Sequence, residues 1–112
     1  MVEYIPDRGD VVWLTLSPQK GHEHAGRRPA VVLTPASYNA KVGLAIFCPI
    51  TSLEKGYPFE VKIPDELYVK GVILSDQVKS LDWRARMATH ICKLPDSTLL
   101  EVSKKLKLLM PD

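Results

Sequence analysis

The sequence has little of three features that mark large classes of protein: long apolar runs, cysteine, and an excess of charge of one sign. No apolar run approaches the roughly 20 residues that a membrane-spanning helix needs. The two cysteines, Cys48 and Cys92, are far apart in sequence and each has apolar neighbours, so we expect buried free thiols and no redox site. A formal net charge of +2 is too small to indicate a polyanionic partner by itself.

An export signal is also lacking, because Glu3, Asp7, Arg8 and Asp10 interrupt any apolar stretch near the N-terminus. We therefore expect a cytoplasmic protein. Of the 112 residues, 46% are hydrophobic and 25% are charged, which predicts a folded chain with a modest core and argues against global disorder. Residues 1–112 are expected to form a single domain.

What the sequence does contain is a series of short segments rich in β-branched and aromatic residues, with proline and other turn residues at their ends. Several are apolar throughout, which is typical of strands buried on both faces of a small closed sheet. The predicted strands are VVWLTL (11–16), AVVL (30–33), LAIFCPI (44–50), FEVKI (59–63) and GVILSDQVKSL (71–81).

Two segments have helical patterns. ASYNAK (36–41) predicts a short helix. PDSTLLEVSKKLKLLM (95–110) predicts a C-terminal helix because apolar residues repeat at three- and four-residue steps, namely Leu99, Val102, Leu106 and Leu109. We interpret this apolar stripe as a packing surface. The predicted fold is mainly β (α+β): five to seven strands in a small antiparallel barrel, with short helices and the C-terminal helix appended.

The stretch KGHEHAGRRPAVVL (20–33) concentrates polar chemistry at the start of a strand. It suggests a metal site, an anion clamp or a solvated hairpin loop. A metal site needs three or four ligands, whereas His22 and His24 supply two, His90 is remote in sequence and no CxxC pair is present. We therefore predict no metal.

Arg28 favours the anion clamp. Pro29 follows it and restricts the arginine backbone to extended conformations. A guanidinium held in one direction matches the oxygens of a phosphate. A solvated loop remains the alternative interpretation, because loops carry charge routinely.

A second polar set follows the predicted strand 44–50. Thr51 and Ser52 come directly after it, and Lys55 and Tyr57 lie in the loop beyond. Hydroxyl groups at the end of a strand commonly cap local backbone groups, which is the simpler interpretation of Ser52.

The first two sets form one polar pocket if their loops share a rim of the barrel. In that case Arg28, Glu23 and Thr51 converge. A third set is either an exposed face or a groove that reads bases and contacts phosphates. It consists of Asp76, Gln77, Lys79, Arg84 and Arg86.

Four motifs in the same order resemble those of the MazF/PemK family of toxin endoribonucleases from toxin–antitoxin pairs. They are PDRGDVVWL (6–14), KGHEHAGRRPAVVL (20–33), PITSLEKGYPFEV (49–61) and DQVKSLDWRAR (76–86). In the second motif the family pattern is roughly G-x-E-x-x-G-x-R-P. The resemblance implies an SH3-like barrel, a homodimer, and cleavage of single-stranded RNA at short sequences with no metal or other cofactor. It also implies a cognate antitoxin with an acidic, largely unfolded tail.

The resemblance further implies that Arg28 and Thr51 are the central catalytic pair and that Glu23 assists them. His24 replaces a glutamine often found in the family, and Asp82 is an additional acid, so the cleavage sequence stays open. We predict RNA contacts around the catalytic residues. The predicted RNA-binding residues are Lys20, His22, His24, Arg27, Ser52, Lys55, Tyr57, Gln77, Lys79, Arg84 and Arg86.

RNA carries its own nucleophile, the 2′-hydroxyl, so a metal-free nuclease must position that group in line with the phosphate, move two protons and stabilise negative charge. The expected products are a 2′,3′-cyclic phosphate and a 5′-hydroxyl. A guanidinium with a pKa above ~12 gives up a proton poorly, so Glu23 is preferred to His22 and His24 as the proton-transfer group, with Arg28 the remaining alternative.

Two other functions stay open. One is a non-catalytic toxin of the same fold that binds a protein such as DNA gyrase, and the other is an RNA-binding barrel without turnover. Trp13 and Trp83, together with the basic loops, offer a groove for the acidic antitoxin tail, or both tryptophans belong to the core.

Overall fold

The computed structural model describes residues 3–15 and 26–112. Within these residues the chain forms seven β-strands and two α-helices. The strands are β1 (Asp10–Thr15), β2 (Arg27–Val32), β3 (Ala45–Thr51), β4 (Glu60–Lys62), β5 (Val72–Leu74), β6 (Lys79–Leu81) and β7 (Thr89–Lys93). The helices are α1 (Ala36–Val42) and α2 (Asp96–Leu108).

All strand pairs are antiparallel, in the order β4-β5-β3-β2-β1-β7, with β6 also pairing with β3. The predicted antiparallel β architecture with a C-terminal helix is therefore confirmed. Within residues 3–15 and 26–112 no hydrogen-bonded pairing joins β7 to β4 or to β6. The sheet of the described residues is thus curved but open along one side, and the closed barrel of the prediction is corrected in that respect.

The predicted strand 71–81 is wrong as a single element, because it divides into β5 and β6. The Gln77 amide donates a hydrogen bond to the Leu74 carbonyl at 3.1 Å, which makes a turn between them. β5 then pairs with the end of β3 and β6 with its beginning. No glycine or proline marks this turn in the sequence. Strand β7, which no predicted segment covers, has the sequence THICK, whose apolar content is low.

The sheet is buried on both faces, as the apolar strands predict. Val11, Val31 and Cys48 pack on one face beneath α2, whereas Phe47 and Trp83 pack on the other. Trp83 is 2% exposed and its indole N–H donates to the Asn39 carbonyl at 2.9 Å. Trp83 is therefore a core residue, and the hypothesis that it lines a peptide groove is wrong.

Helix α2 confirms the predicted packing stripe at Leu99 and Val102, which are buried against the first face. Leu109, the last residue of the predicted stripe, is 48% exposed and does not pack there. Neither helix of the described residues is long and apolar enough to cross a membrane. Both cysteines are free thiols, and Cys48 is buried. Burial raises the pKa of the Cys48 thiol to about 12, so it stays protonated and inert.

Candidate functional site

One cleft, here named the cationic cleft, lies over the face of the sheet that carries Phe47. Its volume is about 130 Å³. Three of its lining side chains are basic, namely Arg28, Lys79 and Arg86, and no lining residue of the described chain is acidic. The other lining residues are Leu14, Pro29, Ala30, Phe47, Pro49 and Leu81. Cations grouped in one cleft make its potential positive and attract an anion.

Arg28 projects into this cleft because of its place in β2. Consecutive residues of a strand point to opposite faces, so Arg28 shares the face of Ala30 while Arg27 takes the other. Arg28 is exposed, and within residues 3–15 and 26–112 its guanidinium makes no hydrogen bond or ion pair. Its five N–H donors are thus available to an anion on the described side of the cleft.

Arg27, by contrast, is used inside the protein. Its guanidinium donates to the hydroxyl oxygens of Thr15 and Thr89. It also donates to the Met87 carbonyl at 2.7 Å and to the Trp13 carbonyl at 3.3 Å. These bonds tie β1 and β2 to the turn before β7. Arg27 therefore stabilises the fold, and it can influence RNA binding only through that effect.

Thr51 of β3 lies two residues beyond the last pair that joins β3 to β2. Ala30 of β2 is paired with Pro49 of β3, and continuing this register two residues further sets Arg28 opposite Thr51. Alternation puts both side chains on the same face as that pair. Facing positions on adjacent strands are thus an extension of the register, and the catalytic pair stays a prediction.

The Thr51 hydroxyl is oriented by its own loop. Its oxygen accepts a hydrogen bond from the Leu53 amide at 3.1 Å, so the hydroxyl proton is directed away from that amide and can be donated. Gly71 makes the backbone arrangement possible: its φ is +120°, and a Cβ there would lie 2.2 Å from the Thr51 carbonyl oxygen. A side chain at position 71 would therefore displace Thr51.

A second and larger cleft, here named the tyrosine cleft, has a volume of about 410 Å³. It adjoins the cationic cleft, because Thr51 and Gln77 of its lining are each two residues along the chain from Pro49 and Lys79. Its lining residues are Thr51, Leu53, Lys55, Tyr57, Glu60, Leu74 and Gln77. A strand of nucleic acid that enters one cleft is thus positioned to reach the other.

The Tyr57 hydroxyl donates a hydrogen bond of 2.6 Å to Oδ2 of Asp76. This bond to a carboxylate, assisted by desolvation, raises the pKa of Tyr57. Glu60 accepts hydrogen bonds from the Lys55 and Gly56 amides at 3.0 and 3.1 Å. The tyrosine cleft therefore has a preformed wall.

The structure brings together most of the predicted site residues that it describes. Arg28, Lys79 and Arg86 line the cationic cleft, and four others line the tyrosine cleft. Ser52 is exposed in the adjacent loop and lines neither. The four in the tyrosine cleft are Thr51, Lys55, Tyr57 and Gln77. The predicted residues that lie outside the described part of the chain are Lys20, His22, Glu23 and His24.

Arg84 lies apart from both clefts. Its guanidinium makes two hydrogen bonds to the Glu3 carboxylate, at 2.7 and 3.1 Å, and lies 4.4 Å from the ring centre of Trp83. Its neighbours thus fix it over the core tryptophan, where it ties the N-terminal segment to the turn before β7.

Sequence reasoning missed Glu60, which braces the tyrosine cleft. The available signal is the placement of an acid shortly after a lysine–glycine pair, since a carboxylate there can accept both backbone amides of the turn. For metals, the described residues contain no group of three potential His, Cys, Asp or Glu ligands.

Comparison with known proteins agrees with the motifs. The model of PemK-like, MazF-like toxins of type II toxin–antitoxin systems matches residues 7–110. The chain is 46% identical over 107 residues to the endoribonuclease toxin MazF of Escherichia coli K12, with 96% of each protein covered. It is 29% identical to the endoribonuclease PemK of Escherichia coli, with 93% of this chain and 81% of PemK covered.

The fold agrees as well as the sequence does. A crystal structure of MazE-MazF from Deinococcus radiodurans matches with a TM-score of 0.93 at 53% identity, covering 96% of this chain and 97% of that one. The match extends over nearly the whole of both chains. The chain belongs to the family of PemK-like, MazF-like toxins of type II toxin–antitoxin systems.

Proposed function

We propose that this protein is an endoribonuclease that cuts single-stranded RNA at short sequences without a metal or other cofactor. The observation that carries the proposal is the cationic cleft, in which Arg28, Lys79 and Arg86 face an apolar floor. This arrangement suits a phosphodiester. The endoribonuclease names of relatives at 46% and 29% identity support the same activity.

The reaction requires only groups that RNA and the protein possess. The ribose 2′-oxygen attacks the adjacent phosphorus and loses its proton to a base on the protein. The bond from phosphorus to the 5′-oxygen breaks, and that oxygen gains a proton. The products are a 2′,3′-cyclic phosphate and a 5′-hydroxyl. DNA lacks the 2′-hydroxyl and is expected to resist cleavage.

Arg28 supplies the principal stabilisation in this mechanism. A guanidinium with its donors directed at the non-bridging oxygens stabilises the charge that develops on them in the transition state. Thr51 donates a hydrogen bond to the same phosphate, because its oxygen is already occupied by the Leu53 amide. Lys79 and Arg86 hold the neighbouring phosphates electrostatically.

Proton removal is assigned to Glu23, with His22 and His24 as the alternatives. A carboxylate or an imidazole exchanges protons near neutral pH far more readily than a guanidinium does. RNA contacts are proposed for the exposed side chains of both clefts and the loops beside them. These are Lys20, His22, His24, Ser52, Lys55, Tyr57, Gln77, Lys79 and Arg86.

As a toxin, the protein acts on cellular RNA in the cytoplasm and lowers translation. Its partners are a cognate antitoxin with an acidic tail and a second copy of the chain. The MazE-MazF structure at 53% identity supports the first. The exposed apolar residues at the end of α2 and just beyond it support the homodimer. Leu108 is 73% exposed and Met110 is 61% exposed, and apolar surface of this kind is commonly covered in an assembly.

The test is to incubate a labelled RNA of mixed sequence with the protein in the presence of a chelator and to analyse the ends of the fragments. We expect discrete cuts that leave 5′-hydroxyl and 2′,3′-cyclic phosphate ends. The matched control is the same oligonucleotide with a single 2′-deoxyribose at the cut site, which should stay intact there. Cleavage that depends on added divalent metal, or ends carrying a 5′-phosphate, contradicts the proposal.

A further inference from the structure

Tyr57 is held by its hydroxyl while its ring stays accessible. The hydroxyl donates to Asp76 at 2.6 Å, and the residue is 43% exposed at the wall of the tyrosine cleft. The Phe59 ring lies behind it, with centroids 5.8 Å apart at an interplanar angle of 48°. An exposed aromatic ring usually turns between rotamers, whereas this one is tied at its far end.

The loop that carries Tyr57 is fixed as well. Glu60 accepts hydrogen bonds from the amides of Lys55 and Gly56, and its own amide donates to the Tyr57 carbonyl at 3.0 Å. Lys105 of α2 donates to the carbonyl of Pro58. Backbone and side chain are therefore both set before any ligand arrives, which lowers the entropy lost on binding.

Asp76 depends on Tyr57 in turn. Its Oδ1 atom is buried and has no hydrogen-bond partner within residues 3–15 and 26–112. The phenol donates to the other oxygen, Oδ2. If the hydrogen bond to Oδ2 also breaks, a partly buried carboxylate is left without a strong partner, which is unfavourable in free energy. The bond between the two side chains is thus expected to persist in solution.

We propose that Asp76 holds Tyr57 as a stacking platform for one nucleobase beside the scissile phosphate, with the Gln77 amide at the hydrogen-bonding edge of that base. The proposal rests on the endoribonuclease function above and adds a base-binding subsite to it. An aromatic face, an amide and a nearby lysine are the groups by which proteins recognise single-stranded RNA. Asp76 acts as a positioning residue, since it reaches the base only through Tyr57.

Charge favours a base over the acidic antitoxin tail as the occupant. The tyrosine cleft contains one lysine, Lys55, and one acid, Glu60, among its lining residues, so it offers an acidic peptide little net attraction. The cationic cleft next to it carries three basic side chains. A nucleotide uses both clefts, with its phosphate on the basic side and its base on the tyrosine.

The experiment uses an RNA built around a site that the wild-type protein cuts, with 2-aminopurine next to the cut and a 2′-O-methyl group on the scissile ribose. Stacking on Tyr57 quenches the fluorescence of the 2-aminopurine. Tyr57→Ala should abolish the quenching. On the cleavable RNA it should raise KM by about five-fold to a hundred-fold, the range expected for one base on an aromatic ring, with kcat nearly unchanged.

Tyr68→Ala is the matched control, because Tyr68 is 76% exposed and lines neither cleft. Tyr57→Phe keeps the ring and removes the bond to Asp76, so we expect partial quenching and a rise in KM of about two- to five-fold. Asp76→Asn should give a similar result. The double variant Tyr57→Phe/Asp76→Asn should be no worse than either single variant, since both remove one interaction.

Additive losses in the double variant would show that Asp76 acts independently of Tyr57 and would overturn its positioning role. Unchanged quenching and KM in Tyr57→Ala, while the wild type still cuts the RNA, would overturn the subsite and leave the nuclease assignment intact. Weaker binding of an acidic antitoxin peptide by Tyr57→Ala, with RNA kinetics unchanged, would assign the ring to the antitoxin surface and would also overturn the proposal. Failure of the wild type to cut RNA would overturn the nuclease assignment itself.

Discussion

Two consecutive arginines of β2 have the same side chain but lie on opposite faces of the sheet and differ in their hydrogen bonds. The Arg27 guanidinium donates to two hydroxyl oxygens and two carbonyls of neighbouring segments. Arg28 points to the opposite face, into the cationic cleft, and makes no hydrogen bond within residues 3–15 and 26–112. A fold satisfies the donors of its structural cations internally, so donors that face a cleft and have no partner among the described residues indicate a ligand.

The comparison predicts that the two arginines are separable by experiment. Changes on the Arg28 side should alter cleavage and leave stability unaffected. Changes on the Arg27 side should first alter stability.

Arg28→Ala should have the largest effect. We expect the cleavage rate to fall at least ~1,000-fold, because the main charge stabilisation at the phosphate is removed. The free energy of unfolding in urea should stay within about 0.5 kcal/mol of wild type, as for other exposed substitutions. Gel-based cleavage and urea titration of the same preparation measure both. Arg28→Lys keeps the charge but not the planar fork, and recovery of full activity in it would contradict a geometric role.

Thr51→Val should lower kcat about 100-fold, because one hydrogen-bond donor to the phosphate is lost while the shape is kept. Thr51→Ser retains the hydroxyl and should retain most of the activity, and single-turnover cleavage compares the two. A Thr51→Val protein with normal kcat would remove Thr51 from the catalytic pair and leave Arg28 alone in that role.

The sequence predicted that Arg28 and Thr51 act as a pair, and this stays a prediction, since the paired register of β2 and β3 ends at Ala30 and Pro49. It assigned Arg28 to catalysis and Arg27 to RNA binding, and it did not distinguish Arg27 as a residue whose donors are used inside the protein. That distinction needs the face on which each side chain lies and the position of the Met87 carbonyl, which is distant in sequence. The sequence shows that Arg27 and Arg28 alternate between the two faces of a strand. It does not show which distant group each side chain meets there.

The same reasoning explains the other differences. The turn between β5 and β6 is made by a backbone hydrogen bond to Leu74 without glycine or proline, so Ser75 and Asp76 are the only turn-forming residues that mark it. The burial of Trp83 depends on a carbonyl of α1, 44 residues away. The apolar strands and α2 were predictable because each carries its own pattern, whereas the walls of both clefts combine residues from several segments.

Arg27→Ala should lower the free energy of unfolding by about 2 kcal/mol, since several hydrogen bonds from a charged donor are lost at a partly buried position. Cleavage should fall less than in Arg28→Ala, and only because the turn that carries Arg86 loosens. Urea unfolding measures the change in stability of Arg27→Ala, and the same cleavage assay measures its change in activity. A catalytic loss as large as that of Arg28→Ala in a protein of normal stability would erase the contrast between the two arginines.

The smallest effect is expected at Asp7, which is also far from both clefts. Its carboxylate accepts the Ala36 amide at 2.8 Å at the start of α1 and lies 3.6 Å from the Lys93 ammonium. These contacts, the amide first, lower the pKa of Asp7 in the folded protein. A lowered pKa contributes stability above the unfolded value of about 3.9, and this contribution is lost as the pH falls through the folded pKa.

Asp7→Ala should therefore cost about 0.5 kcal/mol near neutral pH, after allowance for solvent screening. The difference from wild type should shrink below about pH 4, while cleavage at neutral pH stays normal. Asp7→Asn is the control, because it keeps an oxygen for the Ala36 amide and loses only the charge. Thermal unfolding across pH 3 to 7 measures the effect. A stability difference that is constant through this range would mean that Asp7 acts through its shape, and not through the charge that links it to Lys93.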